Sequence, residues 1–149
     1  MLNESNGLDI FQFASLREYA GLTHGLFGRR GGCSPKPWDS LNVGADVGDD
    51  PENVRRNYER ICESLGLRRG DLATVRQVHS NGIARVSAED RGSVIGSLDG
   101  MITNVPGVGL SLRFADCVPL LVFDPIRRAL GVAHAGWRGT VSKIAVALV

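Results

Sequence analysis

The stretch Gly109 to Thr140, GLSLRFADCVPLLVFDPIRRALGVAHAGWRGT, constrains the fold more than any other part of the chain. Two apolar β-type runs, Val118 to Phe123 and Ala129 to His134, flank a short polar connection containing Asp124-Pro125. That pattern predicts neighbouring strands of a hairpin. Cys117 enters the first run and His134 leaves the second, so closing the hairpin brings a thiol and an imidazole to the same edge of a sheet.

A chain of 149 residues with 43% hydrophobic and 22% charged residues suits a single soluble domain, residues 1–149, with a core of useful size. Seventeen Lys and Arg against sixteen Asp and Glu leave no basic excess to attract nucleic acid or an anionic membrane, so small, weakly charged partners are expected. The three cysteines, Cys33, Cys62 and Cys117, have no CxxC spacing, and an odd count argues against a secreted disulfide framework. A reducing cytoplasm is the expected location. The N-terminus lacks a basic region followed by an apolar core, and no run approaches the roughly 18 apolar residues of a membrane span.

Residues 1–8 are polar and expected to fray, and Asp9 to Phe13 and Thr23 to Phe27 are expected as short strands. The following loop, Gly28 to Pro35, holds glycines that let the backbone approach a ligand closely and arginines that could bind an anion, but composition alone favours a plain surface turn with two solvated arginines. Asp39 to Asp50 alternates carboxylates with small residues but lacks the ligand positions and closing Glu of a calcium loop. Asp49 or Asp50 more simply caps the next helix, which has Pro51 at its first position and Val54, Tyr58, Ile61, Cys62 and Leu65 on one stripe, with Gly66 ending it. On that stripe Cys62 reads as a core residue.

Ala73 to Val78 and Ile83 to Val86 are expected as strands joined by the tight turn His79-Ser80-Asn81-Gly82. Ser87 to Leu98 reads as a loop, with short strands at Met101 to Thr103 and Val108 to Phe114. Trp137 to Val149 reads as one helix, with Val141, Ile144, Ala145 and Leu148 at helical spacing and no stop signal at its end. The domain is therefore expected to be cut short.

His24, His79, His134 and Cys117 all lie at strand ends, where sites are usually built. Two imidazoles and one thiolate suit zinc with a fourth position open for water or substrate, the arrangement of a catalytic rather than a structural site. The same ligand set occurs in blue-copper sites with an axial Met, for which only Met1 and Met101 exist, and three histidines in total exclude a multicopper centre in one chain. A Cys-His pair with Cys117 as nucleophile, His134 or His79 as base and the backbone N-H groups at the start of the Trp137 helix as oxyanion donors is the competing chemistry of a hydrolase or amidase. Spacing leaves metal ligand, nucleophile and plain structural residues all open.

The runs THGLFGRRGGCS, DSLNVGADVGDDPENVRRN, RQVHS, LDGMITN, ADCVPLLVFD and AHAGWRGT resemble the successive motifs of the YfiH, or laccase-domain, family of purine nucleoside phosphorylases, from about Leu22 to the end. The resemblance implies a metal, zinc ahead of copper, on His79, Cys117 and His134, with Arg29 and Asn42 lining the substrate pocket and His24 as a pocket or structural residue. It implies phosphorolysis of adenosine, inosine, guanosine or methylthioadenosine to free base and ribose 1-phosphate, with adenosine deamination as a side activity. The expected partners are thus purine nucleoside and phosphate. The implied fold is α+β, mixed β-sheets covered by helices in a YfiH-like sandwich. Family members continue beyond the HAGW helix, so a fold incomplete at the C-terminus, self-association through exposed edges and an inactive fragment are expectations too. LDG stands where the family has ADG, and Phe27-Gly28 where it has Ser-Thr before Arg29.

Overall fold

The computed structural model describes residues 2–5 and 7–149, with side chains described from residue 7 onward. The chain divides into two compact units, Met1–Arg69 and Gly70–Val149. No helix among the described residues is long and apolar enough to cross a membrane.

In the first unit β1 (Leu2–Ser5), β2 (Leu8–Phe11) and β3 (Leu26–Phe27) form an antiparallel sheet in that order. The fraying expected for residues 1–8 does not extend to residues 2–5, which pair with β2 along their whole length; Met1 and Asn6 lie outside the described residues. A four-residue helix, α1 (Ala14–Arg17), follows β2. The long helix α2 (Pro51–Ser64) begins as expected, with the Asp50 carboxylate accepting from the Glu52 N-H at 2.9 Å. It ends through the N-H groups of Gly66 and Leu67, which donate to the carbonyls of Glu63 and Cys62 and so satisfy two terminal acceptors.

Cys62 is buried on the inner stripe beside Val54 and Tyr58, but that stripe also carries Asn57, which is fully buried. Asn57 is the anchor of the loop from residue 28 to residue 50. Its Oδ1 accepts from the Cys33 N-H, and its Nδ2 donates to Ser34 Oγ and to the carbonyls of Ser40 and Asn42. The close approach expected of the loop glycines is an approach of backbone to backbone. A Cβ on Gly32 would lie 2.0 Å from the Ser40 carbonyl oxygen. Leu8, Ile10 and Leu41, packed with Phe27 and Ile61, form the unit's apolar core.

The second unit contains two sheets. Strands β4 (Leu72–Arg76), β5 (Ile83–Arg85), β6 (Val94–Ser97), β7 (Gly100–Thr103), β8 (Gly109–Ser111), β9 (Val118–Asp124) and β10 (Ala129–Ala135) are arranged as β5-β7-β10-β9 and β6-β4-β8. β4 runs parallel to β6 and β8, and β5 parallel to β7, while β10 pairs antiparallel with β7 and β9. Ala73 and Val75 of β4 meet Ala84, Val86 and Met101 in a dry core drawn from both sheets. Ala133 of β10 packs on Ile144 and Leu148 in a further cluster, so a helix covers the four-stranded sheet.

The hairpin expected from residue 118 to residue 134 is present as β9 and β10. The hairpin expected across His79 to Gly82 is not. β4 and β5 belong to different sheets, and the segment between them crosses from one to the other. Its N-H groups are drawn to a carboxylate, that of Asp99, instead of closing a two-residue turn. The stretch read as a loop after Ser87 contains β6 and a single 3-10 turn, Ala88–Asp90, with a Ser87/Asp90 capping box; β6 pairs with β4, but Val94 is exposed, so no apolar pattern announces it.

The final helix is broken in two, α3 (Trp137–Val141) and α4 (Ile144–Leu148), at Lys143, whose φ is 62°. At the break the Ser142 carbonyl accepts from Asn81 Nδ2 rather than from a helical N-H. Ile144 and Leu148 are buried as their spacing implied, while Val141 is 76% exposed.

Truncating Asn57 to Ala should leave several buried donors and acceptors unpaired and destabilise the protein by about 3 kcal/mol. Asp50→Ala should cost only about 1 kcal/mol, the worth of one helix cap. Urea unfolding of both variants checks the ranking.

Candidate metal centre

The register of β9 and β10 builds the centre. His134 lies opposite Pro119 and Ala135 opposite Val118, so Cys117 and Gly136 come together just beyond the last pair. The thiol and imidazole thus share one sheet edge, as the hairpin implied. His79 joins them from the crossover after β4. Nitrogen and sulfur ligand atoms of His79, Cys117 and His134 all lie within 4.8 Å of one another. The two imidazole rings meet edge to face with centroids 4.8 Å apart, and Phe114 packs on His134 at 5.6 Å.

Burial differs along the set. His134 is 5% exposed, Cys117 half-buried and His79 exposed, which leaves the cluster open on the His79 side. Burial pushes the Cys117 thiol up, and the negative charge of Asp116, whose carboxylate accepts from Sγ at 3.7 Å, pushes it further, with a contribution from Asp99. This setting opposes a bare thiolate. The Cys117 loop is tied to the His79 segment by Gln77, whose Nε2 donates to the Arg113 carbonyl while its Oε1 accepts from the Arg113 N-H.

Space inside the cluster depends on Gly136. A Cβ there would lie 2.7 Å from His79 Nδ1 and 3.3 Å from Cys117 Sγ. A side chain of any size would therefore press into the gap between these two groups.

Asp99 was not singled out from sequence, and it is the most connected residue of the centre. It precedes β7, whose pairing with β10 sets Gly100 against Ala133, and its carbonyl accepts from the His134 N-H at 2.7 Å. Its carboxylate has no exposed surface. Oδ1 accepts from His134 Nδ1 at 2.9 Å and from the His79 N-H at 3.0 Å; Oδ2 accepts from the N-H groups of Val78 and Ser80 and from Ser80 Oγ. Burial by itself would raise this carboxyl, but the Ser80 N-H, His134, the Ser80 hydroxyl and the Val78 N-H outweigh it and hold the group below the usual carboxylate range. The sequence signals for it are an acidic residue directly before a short apolar run and its place in the LDGMITN motif, where LDG stands for the family's ADG.

The other expected site residues lie in the first unit. Arg29 Nε donates to the Asp39 carbonyl at 2.7 Å and its terminal nitrogen lies 3.5 Å from the Asp39 carboxylate, while the side chain stays 71% exposed. The Asn42 amide donates to Asp49 and to the Gly44 carbonyl and accepts from the Gly44 N-H. Asp49 does not cap α2; it is buried, and the donors Asn42, Ser34, Asn53 and the Asp50 N-H overcome the upward push of burial to hold its carboxyl low. His24 is buried and structural, its Nε2 accepting from the Phe13 N-H at 2.9 Å, with its pKa lowered by burial and by Arg17.

Residues 23–149 match the family model described as multi-copper polyphenol oxidoreductase laccase. The chain belongs to this family. Within the laccase-domain family it is 39% identical over 127 residues to "Purine nucleoside phosphorylase YlmD" of Bacillus subtilis (strain 168), covering 80% of this chain and 46% of that protein. It is 42% identical over 123 residues to a "Purine nucleoside phosphorylase" of Deinococcus radiodurans, covering 83% and 47% respectively. The crystal structure of YlmD from Geobacillus stearothermophilus aligns with a TM-score of 0.88 at 37% identity, over 96% of this chain and 54% of that one. Bacillus licheniformis hypothetical protein YfiH aligns at 0.86 and 32% identity, over 95% and 54%. The α+β fold with mixed sheets is therefore the YfiH-like fold of the laccase-domain family. The chain spans about half the length of the curated relatives it matches.

Gly136→Ala should keep the fold and weaken binding of a divalent metal by displacing His79 and Cys117. Competition against a chromophoric metal chelator, beside a circular dichroism spectrum, checks this; unchanged affinity would contradict the geometry.

Proposed function

We propose that this chain carries the metal centre of a zinc-dependent purine nucleoside phosphorylase, with His79, Cys117 and His134 as the ligands. The clustering of these three side chains carries the reading. Relatives bearing the phosphorylase name support the reaction class.

The donor set fits zinc. One sulfur and two imidazole nitrogens are its preferred ligands, and three protein ligands leave a coordination position open toward the exposed side. Copper in a blue-copper arrangement would want an axial Met, but Met101 is fully buried in the core shared by the two sheets, and Met1 lies outside the described residues. Although the family is described as multi-copper, three histidines are too few for several coppers. When bound, zinc would supply a Lewis acid able to polarise a phosphate or water oxygen.

In this reading the substrates are a purine nucleoside and phosphate. Phosphate attacks the anomeric carbon as the purine leaves, and the oxocarbenium-like state between them calls for positioning and charge complementarity. His134, buried and fixed by Asp99, supplies the rigid side of the centre, and the Gln77 clamp to Arg113 steadies the loop that bears Cys117. Arg29 and Asn42 are proposed as substrate-binding residues on their motifs. Arg29 offers a largely exposed side chain for an anion, which would compete with the Asp39 carboxylate already 3.5 Å from its terminal nitrogen. Deamination of adenosine, water replacing the amine at C6, is proposed as a side activity of the same centre.

A hydrolase using Cys117 as nucleophile is less well supported. Activated thiols sit in electropositive surroundings, whereas this one lies beside Asp116 and is pushed up. A cytoplasmic location accords with three free cysteines. Self-association through sheet edges is part of the proposal: β9 is an edge strand, and Trp137, Val141 and Val146 are exposed.

The protein should release ribose 1-phosphate from inosine and phosphate, and Cys117→Ala or His134→Ala should abolish both bound zinc and turnover. Undiminished turnover in a metal-free preparation would sink the zinc-dependent reading. Arg29→Ala should raise the KM for phosphate more than that for inosine, which steady-state kinetics with each substrate varied would detect.

A further inference from the structure

We propose that Asp99 is the positioning residue of the metal centre, one buried carboxylate that sets the ring tautomer of His134 and the backbone pose of His79 together. The proposal rests on the reading of His79, Cys117 and His134 as metal ligands and extends it to a residue that touches no metal.

The argument starts from hydrogen count. An ionised carboxylate only accepts, and Asp99 takes up five donors: His134 Nδ1, the N-H groups of Val78, His79 and Ser80, and the Ser80 hydroxyl. His134 must then carry its ring proton on Nδ1. The lone pair is left on Nε2, the nitrogen free to bind a metal, and a carboxylate behind a histidine ligand also raises its basicity. Because His134 is buried against Phe114 and Asp99, the ring has little freedom to turn over.

The same carboxylate accounts for His79. Three consecutive N-H groups converge on it, and the middle residue, His79, sits at φ 60°, a left-handed conformation that a non-glycine residue keeps only when its surroundings impose it. Gathering the crossover around Asp99 delivers an exposed imidazole to the sheet edge where His134 and Cys117 already meet. Ser80 reinforces the arrangement, its hydroxyl donating to Asp99 and accepting from the Gly82 N-H. Asp99 itself is placed by the β7–β10 register, so the carboxylate and the histidine it holds arrive from neighbouring strands.

An amide at this position distinguishes positioning from simple filling. In Asp99→Asn the side chain keeps its size, but one end donates. If that end faces His134, Nδ1 must accept, and the ring proton moves to Nε2, where it blocks the ligand atom. Long-range proton–nitrogen correlation spectra of the metal-free protein, with labelled histidine, read the tautomer directly. Wild type should show His134 as the Nδ1-H form, and Asp99→Asn should shift it toward Nε2-H. Zinc affinity, measured by chelator competition, should fall by about 10–100-fold.

A wild-type His134 protonated at Nε2 would overturn the proposal, as would an Asp99→Asn protein that binds zinc with wild-type affinity. Should Asp99→Asn fail to fold, the wild-type tautomer still decides. Neither readout depends on turnover, so absence of phosphorolysis would count against the proposed reaction and leave Asp99 standing. A wild-type protein without zinc affinity would remove the metal reading, while the tautomer would still report on Asp99.

Discussion

A carboxylate without solvent contact is costly unless every lone pair is answered, and Asp99 is the place where this protein meets that requirement most fully. Its partners come from the crossover after β4 and from β10, while Asp99 itself introduces β7. Three pieces of chain far apart in sequence are thereby held to one point. The strands could adopt their pairings without it, but the crossover could not adopt this path, because three N-H groups would lose their acceptor.

The first unit uses the same device in neutral form. Asn57, on the inner stripe of α2, holds the loop from residue 28 to residue 50 by accepting from one backbone N-H and donating to two carbonyls and a hydroxyl. A loop rich in glycine and aspartate has little apolar surface with which to pack, and buried hydrogen bonds take over that role. Arg29 and Asn42 owe their definite positions to this arrangement, through Asp39 and Asp49.

Much of this was legible in the sequence where the signal was local. The cap at Asp50, the apolar stripe of α2 and the β9–β10 hairpin follow from residues adjacent in the chain, and each is present. The family motifs added His79 to Cys117 and His134, and the structure brings those three together. What could not be read was non-local. Asn81-Gly82 has the composition of a hairpin turn, yet parallel pairing of β4 with β6 and β8 sends the chain elsewhere, and no pattern within the segment records that. The helix breaks at Lys143 although its apolar spacing is continuous, and at the break the Ser142 carbonyl accepts from Asn81, 61 positions from Ser142. Asp99 was missed for the same reason, since its importance lies wholly in partners that sequence distance conceals.

The mixture of pairings in the second unit also bears on the order in which it assembles. β9 and β10 are joined by a short connection and can zip up early, whereas β4 must find β8, with Leu72 opposite Gly109, and β5 must find β7 across intervening chain. Closing longer loops costs more entropy, so these contacts are expected to form after the hairpin. Cys117 and His134 would then be neighbours long before His79 arrives, and the third ligand becomes a marker of completed folding.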